Sequence, residues 1–441
     1  MDITRFNLAN PWRLNKKWDV PNIPRTATDI IAKWIDEPEI LILLGARQVG
    51  KTSILYQLID KLLKTESADN IYYFNLDIAG FKDFVSDTGK LLRFINVDEQ
   101  CQKYVFIDEI QRLPNPGKFI KGIYDLRLKI KFILTGSSSL EIKSKTTESL
   151  TGRKQVFKIF PLSFLEYMSA FTNINQEKIN INNYDLYLDI LNENLCDYML
   201  FGGYPAVALS KTIEKKLFRL EEIYNSYIEK DIAGFLRIEN IDAFKKLIVF
   251  LSAQQGNLVN INELTNSLNL HRETVVKYIR FLKETFVINE IAPFFTNPRT
   301  ELTKMKKIFF VDSGIRNFAV NGFGQLDIRA DKGQILEGIV ANFLLNQISK
   351  NKKLNYWRTK SGAEVDFILS NTLPHSCFEV KSKKLENIIV PRSLRSFIEK
   401  HKPELAFLLN NNLWANQIIN KTQIHAVPSS VFLLNQNIQL I

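Results

Sequence analysis

The chain has 441 residues, too many for one compact core, and its 45 % hydrophobic and 24 % charged content excludes extended disorder. Its net charge of +11 favours an anionic partner such as nucleic acid, although a lysine-rich surface kept for solubility gives the same number. Three widely spaced cysteines exclude a disulfide framework and a zinc site, and no apolar run is long enough to span a membrane.

The N-terminal residues are polar and basic, unlike a signal peptide, so the expected location is the cytoplasm. Each of the three cysteines is expected to be a small core residue. Residues 27–35 predict a short helix that Thr26 or Thr28 caps.

Residues 40–44 form an apolar run that predicts a buried parallel strand, and the loop after it has the pattern of a phosphate-binding loop. Glycines there let successive backbone N–H groups face the phosphates of a nucleotide, Lys51 adds a positive charge, and the Thr52 hydroxyl offers a ligand to Mg²⁺. An amphipathic helix follows. The predicted nucleotide-binding residues are Gly45, Ala46, Arg47, Gln48, Val49, Gly50, Lys51, Thr52 and Ser53.

Residues 70–77 and 102–109 predict two further strands, and the second of them ends in Asp108 and Glu109. An acid at the carboxyl end of such a strand binds Mg²⁺ through its water shell, and a neighbouring acid activates the attacking water. We therefore expect Asp108 to hold the metal and Glu109 to act as catalytic base in hydrolysis. Residues 131–135 predict a fourth strand, after which hydroxyl side chains such as Ser137 either contact the γ-phosphate or form a plain turn.

An ordered set of motifs carries a family resemblance. It comprises residues 45–52, 106–111, 134–138, 150–153, 160–164 and 201–205, which read GARQVGKT, FIDEIQ, LTGSS, LTGR, FPLSF and FGGYP. The set resembles the bacterial and archaeal AAA-type ATPases whose C-terminal half is a domain of unknown function.

The resemblance implies ATP as the nucleotide and an extra strand between the phosphate-loop strand and the Asp108 strand, which makes residues 135–137 a sensor. It also implies Arg153 as an arginine finger, with a local hydrogen bond as the alternative, and Pro205 in a lid turn near the base.

Residues 239–325 predict a winged helix. Its helices are expected at 244–251, 263–268 with Asn262 as the cap, and 272–282, with a wing strand at 286–295. In a DNA-binding version the third helix presents its basic and polar residues to phosphates and base edges. A lid or protein contact is the alternative. The candidate DNA contacts are His271, Arg272, Thr274, Lys277 and Arg280.

The C-terminal part resembles the PD-(D/E)XK nuclease fold in the order of its charged residues. Glu337 is expected at the start of a helix over 336–348, Asp366 in a strand over 362–369, and Glu379 and Lys381 on one face of the next strand. Glu337, Asp366 and Glu379 are the predicted ligands of Mg²⁺, and Lys381 the predicted catalytic lysine. Active cleavage and an inactive scaffold both stay open.

The predicted fold is therefore α/β, with a P-loop AAA-type core, a helical lid, a winged helix and a C-terminal α/β nuclease-like domain. The predicted segments are 1–37, 38–165, 166–238, 239–325 and 326–441. The main hypothesis is a Mg²⁺-dependent ATPase that acts on DNA and either cuts or grips it. The alternative is an ATP-operated switch or scaffold that binds a protein partner. A trans-acting Arg153 predicts a homo-oligomer.

Overall fold

The computed structural model describes residues 2–97, 101–136, 152–172, 174, 176–226, 240–295, 305–348, 351–371 and 374–435. Ser137, the predicted phosphate contact, lies outside these residues. The chain divides into two compact units, Met1–Phe160 and Pro161–Ile441, which are described separately.

The first unit is built on a parallel sheet. Its strands are β1 (Ile40–Gly45), β2 (Ile71–Asn75), β3 (Lys103–Asp108), β4 (Ile130–Gly136) and β5 (Lys154–Ile159). Its helices are α1 (Ile3–Ala9), α2 (Thr26–Ala32), α3 (Lys51–Leu62), α4 (Phe81–Ser86), α5 (Thr88–Ile95) and α6 (Pro116–Tyr124). The order in the sheet is β2-β3-β4-β1-β5. The extra strand expected between β1 and β3 is thus confirmed as β4.

The apolar runs explain why these strands form the centre of the sheet. Every residue of β1 and β3 is buried, as continuous apolar runs in a parallel sheet require. Helix α3 covers them with buried residues at helical spacing. Helix α2 begins one residue earlier than predicted, and the residue at its N-cap is Arg25, so the predicted threonine caps are wrong.

The second unit begins with helices. They are α7 (Phe164–Phe171), α8 (Asp185–Phe201), α9 (Pro205–Ala208), α10 (Ile213–Ser226), α11 (Ile241–Ala253), α12 (Ile261–Leu268), α13 (Arg272–Glu284), α14 (Ser313–Ala319), α15 (Lys332–Gln347), α16 (Arg392–His401) and α17 (Ser429–Phe432). Its strands are β6 (Ile288–Pro293), β7 (Lys307–Phe310), β8 (Lys353–Arg358), β9 (Glu364–Ser370), β10 (Pro374–Val380), β11 (Leu405–Asn410), β12 (Ala415–Ile419) and β13 (Thr422–Pro428).

The described strands of this unit form one mixed sheet in the order β12-β13-β11-β10-β9-β8-β6-β7. Strands β6 and β7 pair as an antiparallel hairpin, and β6 continues the sheet by parallel pairing with β8 at Ala292 and Asn355. The boundary predicted at 325 therefore falls between elements that share a sheet. This continuity brings β7 residues towards the predicted nuclease-like site.

Helices α11, α12 and α13 precede that hairpin, in the order that a winged helix has. The cap of α12 is Asn260, whose side chain accepts hydrogen bonds from the backbone N–H groups of Asn262 and Glu263. The predicted cap Asn262 instead accepts a 2.6 Å hydrogen bond from Arg272. A short bridge also joins Leu258 to Lys307.

The cysteines differ in burial. Cys377 is buried, but Cys101 is exposed, so the prediction that every cysteine lies in the core is wrong for Cys101. In the ranges that the structure describes, none of the helices has the length and apolar character that crossing a bilayer requires.

Candidate functional site

The predicted phosphate loop connects β1 to α3. Gly45 ends β1, and a Cβ there would lie 2.2 Å from the carbonyl oxygen of Ile159, so only glycine fits beside β5. Gln48 and Gly50 have φ angles of 60° and 91°, which curl the loop into the left-handed conformations expected of it. The Nζ of Lys51 donates to the carbonyl oxygens of Gly45 and Ala46, at 3.1 and 2.7 Å. Lysine, loop and helix start therefore lie together.

Asp108, at the carboxyl end of β3, is the centre of a hydrogen-bonded group. The Thr52 hydroxyl donates a 2.7 Å hydrogen bond to Oδ2 of Asp108. Thr135 donates to the other carboxylate oxygen and accepts a 3.0 Å bond from the backbone N–H of Glu109. Tyr73 from β2 donates to Oδ2 at 3.0 Å. Asp108, only 1 % exposed, is therefore fixed from three elements.

These oxygens fit Mg²⁺. A hydroxyl and a carboxylate held close together are hard oxygen donors, which Mg²⁺ prefers, and it completes its shell with water and phosphate oxygens. Thr52 and Asp108 would hold the ion, which when bound neutralises developing charge on the phosphates.

Glu109 follows Asp108 in a strained backbone conformation, with a φ of 60°. Burial raises the pKa of its carboxyl, the charge of Lys51 opposes that rise, and the Asp108 charge adds to it. Gln111 donates a hydrogen bond to the carboxylate. A carboxylate with a raised pKa beside the phosphate loop is a stronger base than an exposed one.

Arg25 is a residue of this site that no sequence motif indicates. Its two terminal nitrogens donate 2.7 Å hydrogen bonds to the carbonyl oxygens of Val49 and Phe160. Only 6 % of Arg25 is exposed. The guanidinium thus ties the phosphate loop to the chain after β5.

Arg153 lies elsewhere on the sheet. Its carbonyl oxygen accepts from the N–H of Ile40, which places it at the amino ends of β1 and β5, opposite the phosphate loop. Its side chain pairs with Asp125 at 3.1 Å, which is a local contact of the kind expected if Arg153 is not an arginine finger. A finger role would thus concern the nucleotide of another copy, and it stays a prediction.

The Gly202-Gly203 turn, which precedes Pro205, surrounds the buried carboxylate of Asp312. Gly203 N–H and Ile315 N–H donate to Asp312 at 2.8 and 3.0 Å, and a Cβ on Gly202 would lie 2.2 Å from the carboxylate. Burial raises the pKa of Asp312 to about 6. The turn thus has a structural role within the second unit, and the predicted nucleotide contact of Pro205 stays a prediction.

The structure brings the predicted nuclease-like residues into one electrostatic cluster. Asp366 accepts a 2.8 Å hydrogen bond from the N–H of Val380, and Lys381 donates to Glu379 at 2.6 Å. Burial and the Asp366 charge raise the pKa of Glu337 and of Glu379. Glu337 lies in the second turn of α15 rather than at its start, because that helix begins at Lys332.

Sequence reasoning missed two members of this cluster, Glu364 and Lys307. The ammonium of Lys307 lies 3.0 Å from Oε1 of Glu337 and 2.5 Å from Oε1 of Glu364. Burial alone would lower the pKa of Lys307, but the carboxylates of Glu337, Asp366 and Glu364 raise it. The available sequence signal for a buried lysine is its position directly before the apolar run Ile-Phe-Phe.

The acids of this cluster are not arranged so that three of them could bind one metal ion. Within the described ranges, no group of three or more His, Cys, Asp or Glu side chains is placed to hold a metal ion. The predicted ligand set of Glu337, Asp366 and Glu379 thus does not fit a divalent cation in this arrangement.

The residues predicted to contact DNA lie on α13, except His271, which is its N-cap. His271, Arg272, Lys277 and Arg280 are exposed, and Thr274 is half-buried. Arg280 also pairs with Glu284 at 2.9 Å. Val275, Tyr278, Ile279 and Leu282 face inward, so the helix presents its basic side to solvent.

Comparison with known families agrees with this geometry. A family described as an AAA domain matches residues 37–168, and families described as domains of unknown function match 192–327 (DUF8612) and 332–431 (DUF4143). The chain thus contains an AAA domain followed by two domains of unknown function, in the order that its motifs predict.

Several known proteins match this chain over most of its length. An uncharacterized protein of Methanocaldococcus jannaschii is 29 % identical over 80 % of this chain and 77 % of its own length. One of Haemophilus influenzae is 27 % identical over 71 % and 76 %. Among solved structures, a Walker-type ATPase of Pyrococcus abyssi covers 69 % of this chain and 98 % of its own, at 14 % identity and a TM-score of 0.44. The ORC1 protein of Aeropyrum pernix, solved in complex with DNA, covers 70 % and 96 %, at 12 % identity and a TM-score of 0.29. Neither score reaches 0.5, so neither likeness bears on substrate or partner.

Proposed function

We propose that the protein is a Mg²⁺-dependent ATP hydrolase. The observation that carries this is the hydrogen-bonded group formed by Thr52 in the first turn of α3 and by Asp108 and Thr135 on the adjacent parallel strands β3 and β4. In this proposal, the metal ligands, the base and the phosphate-binding N–H groups all act at one edge of the sheet.

Each residue has a distinct role in this proposal. The loop 45–50 and Lys51 bind the β- and γ-phosphates, and Thr52 and Asp108 hold Mg²⁺. Glu109 orients and deprotonates the attacking water, which its raised pKa favours. Thr135 senses the γ-phosphate because it contacts both Asp108 and the backbone of Glu109.

Phosphate release from ATP tests this proposal. The wild-type protein should release phosphate with Mg²⁺ and stop on addition of EDTA, and Lys51→Ala should bind ATP at least tenfold more weakly. A wild-type protein that binds ATP but releases no phosphate under any divalent cation would end the hydrolase proposal.

We further propose that DNA is the partner of this ATPase. The support is the exposed basic side of α13 and the exposed Lys383, Lys384, Arg392 and Arg395 in the second unit, together with the net charge of +11. Such side chains neutralise phosphates without reading sequence.

DNA retention at low salt and the ATPase rate with and without DNA test this link. Retention that weakens steeply with salt, together with a changed ATPase rate, supports it. A rate that ignores DNA, with no retention, favours the switch or scaffold that binds a protein partner. The ion pairs of Lys307 are the specific observation behind that second candidate.

A further inference from the structure

The acid cluster of the second unit differs from the metal site that its resemblance implies. Four carboxyl groups converge there from α15, β9 and β10: Glu337, Glu364, Asp366 and Glu379. Such a set normally needs cations to offset its repulsion. The question is which cation supplies that charge.

Lys307 supplies it from within the chain. Its side chain is 3 % exposed, and its ammonium lies 3.0 Å from Glu337 and 2.5 Å from Glu364. The aromatic ring of Tyr356 lies 5.5 Å from the same nitrogen. These distances are those of a fully engaged buried ion pair.

The backbone holds this lysine in place. Lys307 begins β7, pairs with Ile291 of β6 and bridges to Leu258. Because β6 also pairs with β8, the mixed sheet carries Lys307 to the acids rather than leaving it on a loop. The ammonium can therefore leave only by a rotation of its own side chain.

We propose that the ammonium of Lys307 takes the place of the divalent cation expected among Glu337, Asp366 and Glu379, and that this cluster binds no Mg²⁺ or Mn²⁺. A cation entering there would have to displace a buried ammonium, which would lose two carboxylate partners and keep its charge away from water.

A second lysine of the cluster, Lys381, pairs with another of its acids. Lys381 pairs with Oε1 of Glu379 at 2.6 Å. Oε2 of Glu379 is buried and accepts no hydrogen bond from the residues that the structure describes. A Mg²⁺ ion would therefore have to compete with both lysines for the carboxylates of this cluster.

Counting bound Mn²⁺ by the loss of the free-ion electron paramagnetic resonance signal tests the proposal. The full chain carries Thr52→Ala and Asp108→Asn, without nucleotide, so that the phosphate-loop site is silenced. With Lys307 intact this background should bind no Mn²⁺ at concentrations up to about 1 mM. Adding Lys307→Met should create one Mn²⁺ site, and adding Asp366→Asn to that variant should remove it.

The neighbouring Lys306→Met is the matched control, because Lys306 pairs with Glu290 outside the cluster and should create no site. One Mn²⁺ bound with Lys307 intact, and lost on Asp366→Asn, overturns the proposal, as does a folded Lys307→Met chain that binds none. If Lys307→Met does not fold, the count with Lys307 intact still decides. This count does not depend on ATP hydrolysis, so failure of the hydrolase proposal leaves it unaffected.

Discussion

The hydroxyl of Thr52, in the first turn of α3, lies 2.7 Å from Oδ2 of Asp108 at the end of β3. These residues are 56 positions apart, yet the parallel sheet brings their oxygens into contact. Because a Mg²⁺ ion at the phosphate loop needs such oxygens, this contact links the motif to the proposed hydrolysis.

Thr52→Ala should raise the Mg²⁺ concentration needed for half-maximal ATP turnover by about tenfold, because it removes a metal ligand. Thr52→Ser keeps the hydroxyl and is the matched control. Titration of Mg²⁺ at saturating ATP makes the measurement. Equal Mg²⁺ requirements for the alanine and serine variants would rule out the ligand role.

Arg25→Met should weaken ATP binding by about tenfold, because the Val49 carbonyl in the phosphate loop loses its donor and the loop loosens. Arg13→Met is the control, since Arg13 also donates to backbone carbonyls, of Ala68, Asp69 and Ile71, but away from the loop. Fluorescent nucleotide titration compares the two. The same loss of affinity in both variants would point to general destabilisation instead.

Replacing Lys277 and Arg280 with glutamine should weaken DNA binding. It should also make the plot of log affinity against log salt less steep by about 1.8, because each phosphate contact that is lost removes about 0.9 from the slope. Lys245→Gln with Lys246→Gln gives the same charge change on exposed positions of α11. Fluorescence anisotropy with duplex DNA at several salt concentrations measures both. If the α11 pair lowers the slope as much, α13 is not the contact surface.

Asp312→Asn should remove a loss of folding stability that the wild type shows as pH rises. The folded-state pKa of Asp312 lies above its unfolded value of 3.8, at about 6, so its ionisation destabilises the folded state as pH rises between these values. The stability of the wild type relative to the asparagine variant should therefore fall by about 2 kcal/mol from pH 4 to pH 6. Urea unfolding across this range measures it, and a pH-independent difference would contradict the assigned pKa.

The sequence predicts most of the first unit because its signals are local. The apolar runs of β1, β3 and β4 and the loop 45–52 each lie within a few consecutive residues. Asp108 and Glu109 could be placed because strand ends in a parallel sheet share an edge. Tyr73, which donates to Asp108, lies inside a strand pattern that gives no sign of its partner.

The second unit shows where such reasoning stops. Glu337, Asp366, Glu379 and Lys381 were found because they follow a known order, but Lys307 reaches them through the pairing of β6 with β8. Long-range sheet pairing leaves no mark in local composition. Arg25 was missed for the same reason, since its acceptors, Val49 and Phe160, lie 24 and 135 residues away.

Hydrolysis of ATP with Glu109 as the base is tested by comparing ATP binding and phosphate release by the wild type and by Glu109→Gln. Glutamine keeps the size of the side chain but cannot take the proton from water. We expect ATP binding to stay within about threefold while phosphate release falls at least a hundredfold. Release by Glu109→Gln at the wild-type rate would contradict this role of Glu109.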